Sequence, residues 1–519
     1  MELIKKNIHM EREKCRTLTQ MTIEEDVNIK DQSKDAQRII TQKGRILLEE
    51  VHPFMDYAVI KGKLVYSLLY LGDEENVRPY LMEGAIPFEE KVHMEGVGPN
   101  DTIHVKSQLE DLSASLINSR KLSIRALVTW KLFVNEIHDE EAVVDIVMED
   151  EIEVYKKPLQ ITSLCASTKD IIRMKQEIEL PMGMPNIFQL IWQEIQLNGI
   201  EFRLFEDQIT YQGELICFFL YEGEGEESPI HHFEVTRPFS GQIEVNGCSE
   251  NRISDISYDI EHEEVEIRPD YDGEERILSM DIAVNVSIKL METQTLPVVT
   301  DVYGIEKDID PVLKPASCSS LLMKNTGKMK VAQTFKTDSE EASILQLCST
   351  SACLYQENER VVEEGLELSG ALSVQSIYMT KNNDIPYNSI TGHIPYTYVV
   401  EIPGMQEDYT YRVDAFLEQL TASSSGGDEI EVKAVLVFHV IVYKKEEEPI
   451  LSDIMIQETD VERRDKIPGM AVYIAKDNDT IWNVGKKYCI PRDTIREFNQ
   501  LFQDELACGD KILLVKEMK

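Results

Sequence analysis

Three tracts of the chain fall into one register without a gap. Placing Gly62, Gly213 and Gly370 in one column puts a tyrosine eight residues on in every tract: Tyr70, Tyr221 and Tyr378. A proline follows 25 residues on (Pro87, Pro238, Pro395), with an aromatic beside it (Phe88, Phe239, Tyr396). A glycine returns 34 residues on, at Gly96, Gly247 and Gly404. Backwards, the register runs through Ile39, Leu190 and Leu347, then Ala36, Ile187 and Ile344, then Val27, Ile178 and Phe335. The steps between copies, 151 and 157 residues, are the size of whole domains. The chain is therefore read as tandem domains and not as a solenoid of short turns.

Each copy reads as mainly β. The segments from Gly62 to Tyr70, Gly213 to Tyr221 and Gly370 to Tyr378 are rich in β-branched and aromatic residues and have strand length. Polar, turn-rich patches follow them, at 72–76, 222–226 and 381–384, so strand, hairpin loop and strand are predicted. The proline-aromatic column opens a further strand, where a missing N–H is tolerated. Each copy closes on a long β-rich run, Leu127 to Val134, Ile282 to Ile288 and Val435 to Tyr443. Apolar residues near Ala36–Ile40, Ile187–Trp192 and Ala342–Leu347 have helical spacing. The expectation is three tandem antiparallel β-sandwiches, each with one short N-terminal helix.

Charge separates these copies from the tail. The chain of 519 residues carries a formal net charge of −41. From Met470 onward eight basic residues balance eight acidic ones, so the whole excess lies upstream. So acidic a chain repels a phosphate backbone, which excludes general nucleic-acid binding. No stretch of 18 apolar residues exists, so no transmembrane insertion is expected. The first residues lack the apolar run of a secretory signal, and nine scattered cysteines without a framework fit reduced thiols. Both features predict a cytosolic protein. The predicted division is an N-terminal segment at 1–21, repeats at 22–150, 165–300 and 325–445, a charged linker at 446–469, and a tail domain at 470–516.

The tail reads as β-α-α-β. Val472 to Ile474 form a short strand. Lys476 to Thr480 are a loop ending in a helix N-cap. Ile481, Val484 and Tyr488 share a helix face, and Pro491 suits a second helix start. Ile495 and Phe498 give that helix an apolar side, and Lys511 to Val515 form a second strand. Together the chain is expected to be mainly β, with a small C-terminal α+β domain.

The tail resembles a LysM domain. The matching residues are Tyr473, Asp479-Thr480, Trp482, Lys486, Tyr488, Ile495, Asn499, Leu506 and Gly509 to Ile512. That resemblance implies a shallow N-acetylglucosamine groove between two loops, here Asp477, Asn478, Asp479 and Thr480, and Asn499, Gln500, Leu501 and Phe502. Asn478 stands where the family has glycine, and Gln500 where it has proline. The three repeats resemble the SPOCS domain of endospore-forming bacteria, in their glycine-to-tyrosine strand, proline-aromatic strand and closing β run. An array of SPOCS repeats ending in a LysM domain is similar to the SipL type of spore coat morphogenetic protein. The resemblance implies a protein at the forespore surface in the mother-cell cytoplasm. Its implied partner is the coat-basement ATPase of the SpoIVA type. Other coat proteins, and peptidoglycan or its lipid-linked precursor, are further candidate partners.

Enzyme chemistry finds no foothold. No phosphate loop, nucleophile elbow or zinc-protease motif occurs, and the glycine-rich stretch at Gly223 is too acidic to cradle phosphate. His231 and His232 have no third ligand at metal spacing. No cofactor and no catalytic residue is expected. Trp482, one of three tryptophans, reads either as core of the small tail or as a contact surface, and Lys486 shares its helix face. Two functions stay open: a non-catalytic scaffold that docks the coat-basement ATPase, and a peptidoglycan-binding protein of wall or cortex assembly.

Overall fold

Six antiparallel strands make each copy. In the first they are β1 (Glu2–Asn28), β2 (Ala36–Phe54), β3 (Tyr57–Gly72), β4 (Pro79–His93), β5 (Ile103–Asn118) and β6 (Lys121–Val147). In the second they are β7 (Ile152–Glu179), β8 (Ile187–Phe205), β9 (Gln208–Gly223), β10 (Ile230–Glu244), β11 (Ile253–Pro269) and β12 (Glu275–Gly304). In the third they are β13 (Asp308–Lys336), β14 (Ile344–Val362), β15 (Gly365–Thr380), β16 (Tyr387–Glu401), β17 (Thr410–Ser424) and β18 (Glu429–Gln457). The structure, a computed structural model, describes all residues except 75–76, 226–228, 338–342, 425–427, 458–468 and 516–519. The tips of the first two predicted hairpin loops lie outside the described residues. Among the described residues no helix is long and apolar enough to cross a membrane, and no group of side chains could hold a metal ion.

Within a copy, strands two to four form one three-stranded sheet, and strands one, six and five the other. The inner faces of the two sheets meet in one core per copy, as the mainly β expectation requires. The register columns become physical here. Gly62, Gly213 and Gly370 lie directly opposite Phe88, Phe239 and Tyr396 on the next strand. The aromatic ring covers the bare glycine, so two recurring columns are one packing device. A Cβ at Gly62 would stand 2.3 Å from the Leu47 carbonyl oxygen, and one at Gly370 2.0 Å from that of Tyr355.

The predicted helices near Ala36–Ile40 and Ile187–Trp192 are the first residues of β2 and β8. The described part of the third, from Ile344, opens β14; Ala342 lies outside the described residues. The cause is a pair of β-bulges in each copy, at Ala36/Arg38 and Ile39/Thr41, Ile187/Gln189 and Leu190/Trp192, and Ile344/Gln346 and Leu347/Ser349. An extra residue in a strand moves the next inward position from two residues away to three. Ala36 and Ile39 both face the sandwich core, at the spacing of a helix turn.

Strands one and six of each copy run far beyond the sandwich as paired ribbons, and this overturns two further expectations. The segment at 1–21, expected to lie outside the first repeat, is part of it: from Glu2 it is the first stretch of β1, paired with β6. Of the linker expected at 446–469, residues 446–457 continue β18 against β13; 458–468 lie outside the described residues. Charge in these stretches marks the solvent face of a strand. The inner face is apolar and alternates with it, which a count of charges and prolines does not detect.

The ribbons bind the three copies to one another. Ile8, Leu159 and Ala316 occupy the same register position, as do Met10, Ile161 and Cys318, and all six share one buried cluster. By strand pairing, Ala142, Val298 and Ile450 are a third such set in that cluster. Val143, Val299 and Leu451 recur together in the next cluster along the ribbons. On the sandwich side, Leu69, Leu220 and Ile377 converge in the same manner. One set of three equivalent lysines runs in one direction round the cycle. Lys6 of the first copy reaches Gln294 of the second at 2.8 Å, and Lys157 of the second reaches Glu448 of the third at 2.5 Å. Lys314 of the third returns to Glu140 of the first. These three lysines share one register position, so the contacts are head to tail and the ring closes. The side chains of the two ion pairs are partly exposed and contribute little. Burial of the aliphatic sets, about 1.5–3 kcal/mol for each large side chain, holds the ring.

Where the sandwiches meet, Lys43, Glu194 and Ser351 form another shared register position. Lys43 donates to the Gln193 carbonyl at 2.6 Å, and buried Glu194 accepts from the Trp192 indole at 3.2 Å. Burial holds the Glu194 carboxyl above its ordinary range, against the pull of Lys43 and the Ser351 hydroxyl.

The tail follows its expected order: β19 (Met470–Ile474), α1 (Ile481–Tyr488), α2 (Arg492–Asn499) and β20 (Lys511–Val515), with β19 antiparallel to β20. Its own small core includes Ile481, Val484, Ile495, Leu506 and Ile512.

Candidate functional site

The residues singled out in the tail fall into two groups. The first lines the two loops. Asp477 and Asn478 are exposed in the turn before α1, and Asn478 is left-handed at φ 65°. Asparagine tolerates that region, which glycine takes freely. Asp479 is a structural acceptor: its Oδ2 takes the Tyr473 hydroxyl at 2.6 Å and the Lys476 N–H at 2.8 Å. The Tyr473 hydrogen bond, with that backbone N–H, holds the Asp479 carboxyl below its ordinary range; the same bond pushes Tyr473 up to about 12. Thr480 caps α1, its hydroxyl accepting from the Asn483 N–H at 3.2 Å.

In the second loop, Asn499 is spent on the fold. Its amide accepts from the Leu513 N–H at 2.7 Å and donates to the Leu513 and Ile495 carbonyls at 2.8 Å, so it completes the edge of β20. Gln500 closes α2 at φ 54°. Proline, locked near −65°, could not take that place, so the chain leaves α2 differently from an Asn-Pro loop. Leu501 packs on the tail core, while Phe502 is 97% exposed. Backbone bonds from Leu506 to Asp479 at 3.0 Å and from Ile481 to Asp504 at 2.8 Å draw the two loops side by side.

Trp482 and Lys486 form the second group, and they face the ring. Only 5% of Trp482 is exposed. Its indole N–H donates to Asp301 Oδ2 at 2.8 Å, and Lys486 pairs with Asp301 Oδ1 at 2.5 Å. The indole packs against Tyr303 and Tyr155, with centroids 4.8 and 5.0 Å away, and the Arg492 guanidinium lies 5.1 Å from it. Arg492 also pairs with Glu153 at 3.0 Å. The Tyr303 hydroxyl donates to the Ile490 carbonyl at 2.9 Å, and burial raises its pKa. Gly485 permits this approach, because a Cβ there would come within 2.5 Å of that hydroxyl. Trp482 therefore lies neither in the small core of the tail nor on a surface open to a partner protein: it is buried against β7 and β12 of its own chain.

The ring-side residues Glu153, Tyr155, Asp301 and Tyr303 were not legible as a site. One signal exists. By strand pairing, Asp145, Asp301 and Asp453 share a register position, and each accepts the N–H of the following residue at a bulge, at 2.9, 2.9 and 2.8 Å. What distinguishes Asp301 is its neighbour. Asp145 is paired with Lys156 of the second copy at 2.9 Å. The third copy has Leu313 at the position of Lys156, so Asp301 takes Lys486 of the tail. Tyr303 likewise has Val147 and Met455 as its counterparts, which are 55% and 57% exposed.

A family model, described as SipL, SPOCS domain, matches the chain three times, at residues 35–117, 186–268 and 343–424. No curated protein and no solved structure matches it. Each match covers strands two to five of a copy, so the long first and last strands that build the ring lie outside the matched segments.

Proposed function

We propose that this chain, a sporulation-associated member of the SPOCS-domain family with three copies of that domain, is a non-catalytic scaffold of spore coat assembly. It docks a coat-basement ATPase of the SpoIVA type at the forespore surface, from the mother-cell cytoplasm. The observation that carries the reading is a closed ring of three SPOCS copies with a single small β-α-α-β tail seated on the second. Such a body holds one recognition unit at a defined place, as a bridging protein requires. Because Trp482 and Lys486 are committed to Asp301, the partner is met by the opposite part of the tail. There Phe498 is 51% and Phe502 97% exposed beside the two loops, and exposed aromatics are favoured anchors.

The test is co-purification of the full chain with the basement ATPase, with Phe502→Glu compared to the native sequence. Loss of at least tenfold in affinity, with an unchanged melt of the variant, is expected if Phe502 anchors the partner. Full-strength binding by Phe502→Glu together with Phe498→Glu places the partner elsewhere. A second reading, glycan binding, is supported by the two loops lying side by side. Pull-down on peptidoglycan, with soluble N-acetylglucosamine oligomers as competitor, separates the two. Retention on peptidoglycan without binding to the ATPase favours a role in wall or cortex assembly.

A further inference from the structure

Where the ribbons enter their sandwiches lies a half-open cavity of about 440 Å³. Two sets of equivalent positions line it: Glu11, Thr162 and Ser319 from the first strands, and Asn135, Met291 and Tyr443 from the last. It therefore lies where all three copies meet. The copies do not contribute equal chemistry. Arg12, Arg16, Arg412 and Lys445 line the cavity against Glu11 and Glu13, a positive wall in a chain of net charge −41.

Most of these charges are already engaged. Glu11 accepts from Lys289 at 2.5 Å, Glu13 holds Arg16 at 2.7 Å, Arg412 pairs with Asp255, and Lys445 pairs with Glu447 at 2.9 Å. Three donors are left over. Arg12 makes no ion pair or side-chain hydrogen bond among the described residues. The Asn135 Nδ2 is enclosed without an acceptor. The Tyr443 hydroxyl has the Met291 sulfur at 2.9 Å, a weak acceptor. A cation, an amide N–H and a hydroxyl thus border one space that supplies no oxygen to them. Leaving the buried Asn135 donor unpaired is unfavourable, and a ligand oxygen would satisfy it.

We propose that this cavity binds a small molecule carrying a carboxylate or phosphate on an apolar, ring-sized body. The oxyanion suits Arg12, Asn135 and Tyr443. Met10, Leu164 and Met291 offer an apolar wall to the rest. The volume lies within the roughly 300–1,000 Å³ of small-molecule sites, and a bare inorganic anion would leave most of it empty.

The full-length protein is titrated with phenyl phosphate and with benzoate, followed by ligand-observed saturation-transfer NMR and by thermal shift. Inorganic phosphate and benzyl alcohol supply the oxyanion and the ring separately. Saturable binding of either aromatic anion is expected, with inorganic phosphate and benzyl alcohol at least tenfold weaker. The stronger of phenyl phosphate and benzoate tells which oxyanion the site takes. Arg12→Gln should weaken binding by about tenfold or more. Ser319→Leu, which puts an apolar side chain into the cavity at a residue with no hydrogen bond to the three donors, should abolish it. Lys63→Gln, on the surface of the first copy, should leave it unchanged. Absence of saturable binding by both aromatic anions overturns the proposal. So does binding that survives Ser319→Leu in a variant with a native cooperative melt.

Discussion

Replacing Asp301 by alanine tests the seating of the tail, and the repeats provide their own control. Asp301→Ala removes the acceptor of the buried Trp482 indole N–H and the partner of Lys486. A hydrogen bond to a charged group contributes about 1.5–3 kcal/mol. The Lys486 pair is discounted to about 0.5 kcal/mol, because its side chains are 38% and 24% exposed and solvent screens them. The loss is then about 2–3.5 kcal/mol. Asp145→Ala loses the same bulge hydrogen bond and an exposed pair with Lys156, but nothing to the tail. The difference between the two variants isolates the docking. Trp482 is also the natural probe, since Trp130 and Trp192 are 0% and 1% exposed within the ring. In Asp301→Ala its emission should shift to the red and become quenchable by iodide. For so small a domain the urea slope is about 1 kcal/mol per molar, so the tail transition should fall by about 2–3.5 M. An Asp301→Ala protein with the emission, quenching and midpoint of Asp145→Ala refutes the reasoning.

Three further outcomes follow from the packing. Gly485→Ala, normally a gain of about 1 kcal/mol in a helix, should instead cost about 1–3 kcal/mol, because its Cβ meets a Tyr303 hydroxyl held by Ile490; a raised tail midpoint in urea contradicts this. Gly62→Ala should destabilise the ring by a similar amount through the Leu47 carbonyl, read by calorimetry, and an unchanged melt would mean that the β2–β3 approach is loose. Glu194→Gln concerns pH. The folded carboxyl is raised by burial, so its cost is absent below the unfolded carboxyl range and appears as pH rises through the folded value. The glutamine variant should therefore melt above the native protein at neutral pH, with the gap closing as pH falls; a variant that melts lower at neutral pH shows that attraction to Lys43 outweighs desolvation.

What could be read from the residues alone depended on how local the cause was. The glycine and aromatic columns announced themselves because each pair meets across one hairpin, 26 residues apart. The tail order was legible for the same reason, since Thr480 caps its helix through an N–H three residues away. The false helices came from paired bulges, whose three-residue step imitates a helix turn. The charged stretches at both ends of the array were misread because their inner faces find partners on other copies, such as Ile8 on Leu159. Trp482 drew attention by its rarity, yet its acceptor lies 181 residues upstream. The clue to that acceptor was the absence of a lysine at Leu313, which becomes visible only when the three copies are compared by strand pairing.

A cycle of head-to-tail contacts has no first and no last member. The chain crosses from the first copy to the second through residues 148–151 and from the second to the third through 305–307. The contact of the third copy with the first is made without a chain crossing. That unlinked junction is a gap in the thread and not in the packing. A short peptide joined from the end of β18 to the start of β1 would supply the missing connection, and new termini could then be opened at 148–151 or 305–307. Circular permutation would move the tail's point of departure to another copy while leaving the ring intact. A fourth copy, in contrast, has no vacant face to join.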